Sequence, residues 1–213
     1  MAELEVREAI REALDEELAR DEHVIFFGED VAIAGGVFAV TPGLYDKYGP
    51  ERVFDTPISE LALTGAAYGA AITGSRPVLE IMFGDFLALS MDVLINQATK
   101  YWFLTGGKTS CPLVIRSVVG AGGRFGAIHS QTPIPWLMGI TGLKLVAPSN
   151  SADAKGLLKA AIRDENNAVV IRGRAVGELM FQGKGAGSLP TAAAVLSDVI
   201  EIAAGSTRMH ELT

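Results

Sequence analysis

Pro77-Val-Leu-Glu-Ile-Met-Phe83, a short apolar run entered through Arg76 and left through Gly84, reads as a strand covered on both faces. Behind it, Asp85–Thr105 reads as one long helix. The same alternation extends in both directions. Upstream, residues 4–20 set Leu4, Ala9, Ile10, Ala13, Leu14 and Leu18 on one helical face, and the apolar run Val24–Phe27 ends in Gly28-Glu29-Asp30. Gly35-Gly36 and Thr41-Pro42-Gly43 mark an irregular loop and Val53-Phe54 a short strand. Thr56 or Ser59 then caps a helix rich in Ala and Gly through Gly74. Downstream come strand Pro112–Ser117, a glycine-rich loop from Gly120 to Gly126, a short helix near Pro133–Met138, strand Leu143–Ala147, helix Ser151–Arg163 and strand Ala168–Ile171. Strands that alternate with helices and are apolar throughout predict an α/β fold, a parallel sheet flanked by helices. Such sheets bind ligands at the carboxyl ends of their strands, which directs attention to the loops after Phe27, Phe83 and Ser117.

At 213 residues the chain is long enough for a substantial core, and with 49% hydrophobic and 20% charged residues it is too apolar for disorder. It has no unbroken apolar stretch of about 18 residues, so no membrane span is expected. Eighteen Lys and Arg against 25 Asp and Glu give a formal charge of -7 without a basic stripe, which argues against nucleic acid as a partner. Cys111 is the sole cysteine, which excludes an internal disulfide, and its apolar neighbours suggest a buried bystander. The start of the chain is amphipathic but acidic, unlike a secretory or transit segment, and predicts a cytoplasmic protein.

Asp55-Thr-Pro-Ile-Ser-Glu60 leads from a strand end into a helix. Glu60 is there either an exposed first-turn carboxylate favoured by the helix dipole or a desolvated acid with a raised pKa. Phe83 and Phe86 offer an aromatic face to a planar ring, or simply pack in the core. His129 ends the glycine-rich loop, where it can exchange protons near neutral pH. His23 and His210 lie in polar stretches. No hydrolase nucleophile elbow, zinc His-Glu-x-x-His or nucleotide-triphosphate loop is present, and Gly183-Lys-Gly-Ala-Gly-Ser188 is closer to a flexible turn than to a dinucleotide fingerprint.

The segments Glu51–Glu60, Thr64–Ala71, Glu80–Phe86, Ile128–Gln131, Gly142–Pro148 and Asp153–Asp164 together resemble the beta chain of the thiamine-diphosphate-dependent dehydrogenase component of 2-oxo acid dehydrogenase complexes. That resemblance covers roughly residues 4–166 and implies a transketolase-like pyrimidine-binding domain over 1–172, with 173–213 an appended glycine-rich segment and helix. It implies that Glu60 hydrogen-bonds the ring nitrogen of the cofactor's aminopyrimidine and so promotes the tautomer that removes the thiazolium proton. Phe86 is implied as the stacking aromatic with Ile58 alongside, Glu29 as a carboxylate near the cofactor, and His129 as a group for proton transfer and acyl delivery. Leu113, Ala161, Ile162, Asp164 and Asn166 match a potassium-binding loop.

The implied partners are a separate alpha chain, forming a heterotetramer and holding the diphosphate through magnesium, and a lipoyl-bearing acyltransferase. The pattern departs after Asn166, and the stretch from Asn167 to Ala203 resembles the end of the catalytic region of homoserine dehydrogenase. The family's second domain has no counterpart in the sequence. A composite or truncated α/β binding domain without activity of its own therefore stands as an alternative, and a homoserine dehydrogenase fragment as a weaker one.

Overall fold

A computed structural model describes residues 5–166 and 168–173. The amphipathic start becomes α1 (Val6–Arg20), opened by a capping box in which the Glu5 and Glu8 side chains accept each other's backbone N–H. Its apolar face buries Ala9, Ile10, Ala13, Leu14 and Leu18. Then follow β1 (Val24–Gly28), α2 (Leu44–Tyr48), β2 (Val53–Asp55), α3 (Glu60–Ile72) and β3 (Arg76–Phe83). Past β3 lie α4 (Leu87–Asp92), α5 (Tyr101–Leu104), β4 (Val114–Val119), α6 (Ile134–Met138), β5 (Lys144–Val146), α7 (Ser151–Arg163) and β6 (Ala168–Gly173).

All strand pairs are parallel, in the order β2-β1-β3-β4-β6-β5. Val24, Phe26, Val78, Val114 and Val170 face one way, against Ile10, Leu14 and Leu18 of α1 and Leu158 and Ile162 of α7. Leu79, Ile81 and Ile115 face the other, against Leu63 and Ala67 of α3, Leu87 of α4 and Leu137 of α6. Each fully buried large apolar side chain contributes roughly 1.5–3 kcal/mol, whereas an exposed ion pair gives about 0–1, so these two layers carry the stability.

Three features differ from the sequence reading. The irregular loop contains α2, whose first residue Leu44 packs into the core. The long helix over Asp85–Thr105 is broken: Val93–Gln97 widens so that the Ala98 N–H reaches the Val93 carbonyl, and the Asn96 side-chain amide turns back 2.7 Å to the Asp92 carboxylate. Ser59 occupies the cap position of α3 but its hydroxyl makes no capping bond. The expected strand over Ala168–Ile171 forms as β6, which enters between β4 and β5 in continuous register, Val114 opposite Ala168 through Val119 opposite Gly173. The stretch from Asn167 to Ala203, read from sequence as a different tail, therefore enters this sheet at Ala168, and the part of it beyond Gly173 lies outside the described residues. No helix among the described residues is long and apolar enough to cross a membrane.

Two charged features lie where apolar residues are the rule. Glu80 of β3 and Arg116 of β4 stand opposite each other, both buried, as an ion pair inside the sheet. On α1, Glu17 is fully buried and takes bonds from Arg20 (2.7 Å) and from Arg163 of α7 (2.6 Å), while Glu16 pairs with Lys155 (2.7 Å) and Lys159. Burial alone would raise the Glu17 carboxyl, but the hydrogen bonds from Arg163 and Arg20 hold it below its usual range. Hydrogen bonds from Lys155 and Lys159 take Glu16 from 4.5 to about 2.

Both carboxyls have depressed folded pKa values, so their contribution is complete above the unfolded value near 4.5 and is lost as pH falls through the folded values, about 2 for Glu16. The melting temperature is expected to drop across that window, with a shallower drop in Glu17→Gln. Circular dichroism melts between those pH values check this, and parallel profiles for the two proteins would contradict it.

Candidate functional site

The carboxyl ends of β1, β2, β3 and β4 open along one edge of the sheet. β1 and β3 approach there so closely that a Cβ on Gly28 would lie 2.6 Å from the Glu80 carbonyl oxygen. Glu29 follows Gly28 directly and is buried. The loop beyond it carries Asp30 and Ala39 in left-handed conformation, φ +54° and +51°. Asp55, at the end of β2, holds that loop down by accepting the Ala32 N–H at 2.7 Å. The Thr56 N–H donates to the Gly28 carbonyl at 3.0 Å, which ties the two strand ends together.

Glu60 is the first residue of α3 and only 7% exposed, so the exposed first-turn reading does not hold. Its carbonyl accepts from the Thr64 hydroxyl at 2.8 Å, and the Ser90 hydroxyl lies 2.7 Å from the Thr64 oxygen, which fixes the start of α3 to α4. The Glu29 carboxyl is raised above its usual range, first by burial, then by the Glu60 charge and then by that of Asp30. Its Oε1 is buried with no hydrogen-bond partner among the described residues. Two neighbouring carboxyls, one of them short of a donor, suit a heterocycle bearing N–H groups, and on that ground the residues fit an aminopyrimidine. Ile58, by contrast, is 79% exposed, on the outer rim of this group.

Phe86 is half-buried just past β3, and His129 reaches it from the loop after β4. The imidazole stands edge-on to Phe83 at 4.7 Å and to Phe86 at 5.2 Å between ring centroids. Phe38 and Phe125 complete the aromatic wall around Phe83. On its far side lies a cleft of about 820 Å³, reached by His129, Arg116 and the glycine-rich loop. The structure thus brings Glu29 beside Glu60 and His129 beside Phe86 along the sheet edge. Cys111 is buried and its thiol is pushed up to about 12, so it is not a nucleophile at neutral pH.

The residues matched to potassium are placed differently. Leu113 is fully buried ahead of β4, and Ala161 and Ile162 end α7. The Ile162 and Asp164 carbonyls accept from the Arg76 guanidinium at 3.1 and 3.2 Å, the Asp164 carboxylate pairs with Lys144, and it also accepts the Asn166 N–H at 2.8 Å. The guanidinium thus supplies positive charge at this helix terminus and engages two of the matched carbonyls. Among the described residues, no group of three or more His, Cys, Asp or Glu is placed to hold a metal.

Residue runs alone did not single out Asp85, Phe38, Phe125 or the Glu80–Arg116 pair. The available signal for the pair was a lone charge inside each of two apolar strand runs, Glu80 in Pro77–Phe83 and Arg116 in Pro112–Ser117.

A parallel sheet with acid, aromatic and imidazole groups along its carboxyl edge defines a class, and comparison with known proteins gives the same one. The chain belongs to the family described as "Transketolase, pyrimidine binding domain", whose model matches residues 2–175 and so runs past Asn166 without a break. It is 45% identical over 182 residues to the pyruvate dehydrogenase E1 component subunit beta of Dictyostelium discoideum, covering 85% of this chain and 50% of that one. It is 47% identical over 176 residues to the acetoin:2,6-dichlorophenolindophenol oxidoreductase subunit beta of Cupriavidus necator, covering 78% and 52%. The chain spans about half the length of these curated relatives. Among solved structures, a split-gene transketolase described as an inactive beta4 tetramer superposes with a TM-score of 0.64 at 20% identity, over 83% of this chain and 53% of that one, which supports the fold.

Proposed function

We propose that this chain supplies the aminopyrimidine half of a thiamine diphosphate site in a 2-oxo acid dehydrogenase of E1-beta type, working with a separate alpha chain. The observation that carries the proposal is Glu60, a carboxyl 7% exposed beside a second carboxyl of raised pKa, at the edge where parallel sheets bind ligands. When bound, thiamine diphosphate supplies an acidic thiazolium carbon that, once deprotonated, adds to the carbonyl of the 2-oxo acid. Glu60 holds a proton at the pyrimidine ring nitrogen. Glu29, whose carboxyl is raised first by burial and then by the Glu60 charge, stands beside it as a second carboxyl facing the same ligand. Phe86 offers a ring for stacking, and Ile58 and Leu61, both exposed, form an apolar rim suited to an alpha chain that closes over the site.

His129, half-buried at the end of the glycine-rich loop, serves the later transfer of the acyl group to a lipoyl arm carried by an acyltransferase. His129→Ala is expected to lower lipoamide-dependent turnover by about 10²-fold while cofactor affinity stays unchanged, which stopped-flow and titration assays check. In this reading the diphosphate half, held through magnesium, and a heterotetrameric assembly fall to the alpha chain. Names of the relatives favour pyruvate or acetoin as substrate.

The test is to combine the chain with a cognate alpha chain, magnesium, thiamine diphosphate and each candidate substrate. Cofactor-dependent turnover is expected. Its absence, with an alpha chain that is active beside its own beta subunit, overturns the reading in favour of a binding domain without activity of its own.

A further inference from the structure

The proposed site depends on where His129 stands, and the ring contacts alone do not fix it. Residues 121–128, the body of the loop that ends in His129, are exposed, and Arg124 within them takes a left-handed conformation at φ +56°. Edge-to-face contacts orient a ring weakly and do not order a glycine-rich loop. The stem of the loop is held elsewhere. Gln131, two residues past His129, accepts the Gly120 N–H on its carbonyl at 3.0 Å, and its own N–H donates to Asp85 Oδ1 at 3.1 Å. Asp85 lies between Gly84 and Phe86, on backbone packed closely against the loop's neighbours: a Cβ on Gly84 would sit 2.3 Å from Val119 Cγ1 and 3.1 Å from the Pro133 ring.

We propose that Asp85 is the positioning residue for His129: its carboxylate fixes the far stem of the loop to the residue preceding Phe86, so that imidazole and stacking ring keep one relative geometry. This rests on the thiamine diphosphate reading given above. A purely structural role explains Asp85 poorly. The residue is 7% exposed, and its Oδ2 is buried with no hydrogen-bond partner among the described residues, an arrangement that costs stability. A single acceptor aimed at Gln131 is what the loop uses, and asparagine retains one.

The experiment compares Asp85→Ala with Asp85→Asn in the assembled alpha–beta enzyme, by lipoamide-dependent turnover and by decarboxylation coupled to dichlorophenolindophenol. Asp85→Ala is expected to lower the lipoamide reaction about tenfold while the dye-coupled reaction stays within about twofold, and Asp85→Asn to remain within about twofold on both. An unchanged lipoamide reaction in Asp85→Ala, or an Asp85→Asn loss as deep as that of Asp85→Ala, overturns the proposal.

A second arm uses the chain without its partner. In Asp85→Ala the His129 ring proton resonances, shifted by Phe83 and Phe86, move toward those of free imidazole, and the Gln131 amide exchanges at least about tenfold faster, whereas Asp85→Asn keeps both. Resonances and exchange that ignore Asp85→Ala overturn the positioning role. Failure of the wild-type assembly to turn over any 2-oxo acid counts against the proposed function, and this second arm then decides on Asp85 by itself.

Discussion

Glu60→Gln is expected to lower cofactor-dependent decarboxylation by about 10³-fold or more in the assembled enzyme, with the fold intact. The amide fills the same buried volume at the start of α3 and leaves the Thr64 and Ser90 bonds to the Glu60 carbonyl untouched. What it removes is a group able to hold and release a proton at the pyrimidine ring, a contribution of about 10²–10⁴ in rate for a positioned acid or base. Glu60→Gln also removes the charge that helps raise Glu29, so the Glu29 carboxyl should titrate lower in the variant. Steady-state rates together with carboxyl titration by infrared spectroscopy check both parts. A variant that keeps more than about a tenth of the wild-type rate removes Glu60 from the chemistry.

The second large effect concerns the fold. Arg116→Met leaves the buried Glu80 carboxyl without its partner on the sheet face that carries Val78 and Val114, and removing one partner of such a buried pair costs about 3–5 kcal/mol. Glu80→Met strands Arg116 in the same way. Changing both together is expected to restore most of the lost stability, because two apolar residues in register on β3 and β4 pack without any charge to desolvate. Urea unfolding of the four proteins measures the coupling. Additive losses in the double variant would show that the pair is not the unit it is taken to be. Arg116 also reaches the cleft beside His129, with its Nε buried and unpartnered among the described residues, so the double variant is expected to alter turnover even where stability recovers.

Much of the architecture can be read from local pattern. Pro77–Phe83 and its counterparts are too short and too apolar for surface helices, and the parallel sheet follows from their alternation with helical periods. α7 runs from Ser151 to Arg163 as expected because Asn150 supplies a capping oxygen to the Asp153 N–H at 2.8 Å. The break at Val93–Gln97 was not legible: no Pro or Gly marks it, and it depends on how Asn96 turns back on Asp92.

The site divides along the same line. Glu60, Phe86 and His129 lie in runs whose residue types announce chemistry, but residue types did not decide whether Glu60 is exposed or buried. That depends on its place beside Glu29, which follows β1, whereas Glu60 opens the helix after β2. Asp85 was invisible because its partner, the Gln131 backbone, lies 46 residues away. The potassium residues show the converse difficulty: each matches its motif, yet Arg76 from a distant strand takes two of their carbonyls.

The most direct measurement is hydrogen–deuterium exchange at the thiazolium carbon of thiamine diphosphate, followed by rapid quench in the alpha–beta assembly with and without Glu60. Exchange at least about a thousandfold faster with the native side chain than with glutamine is the predicted result. Equal rates in the two proteins would mean that this carboxyl does not activate the cofactor, and the assignment of the sheet edge to thiamine chemistry would be wrong.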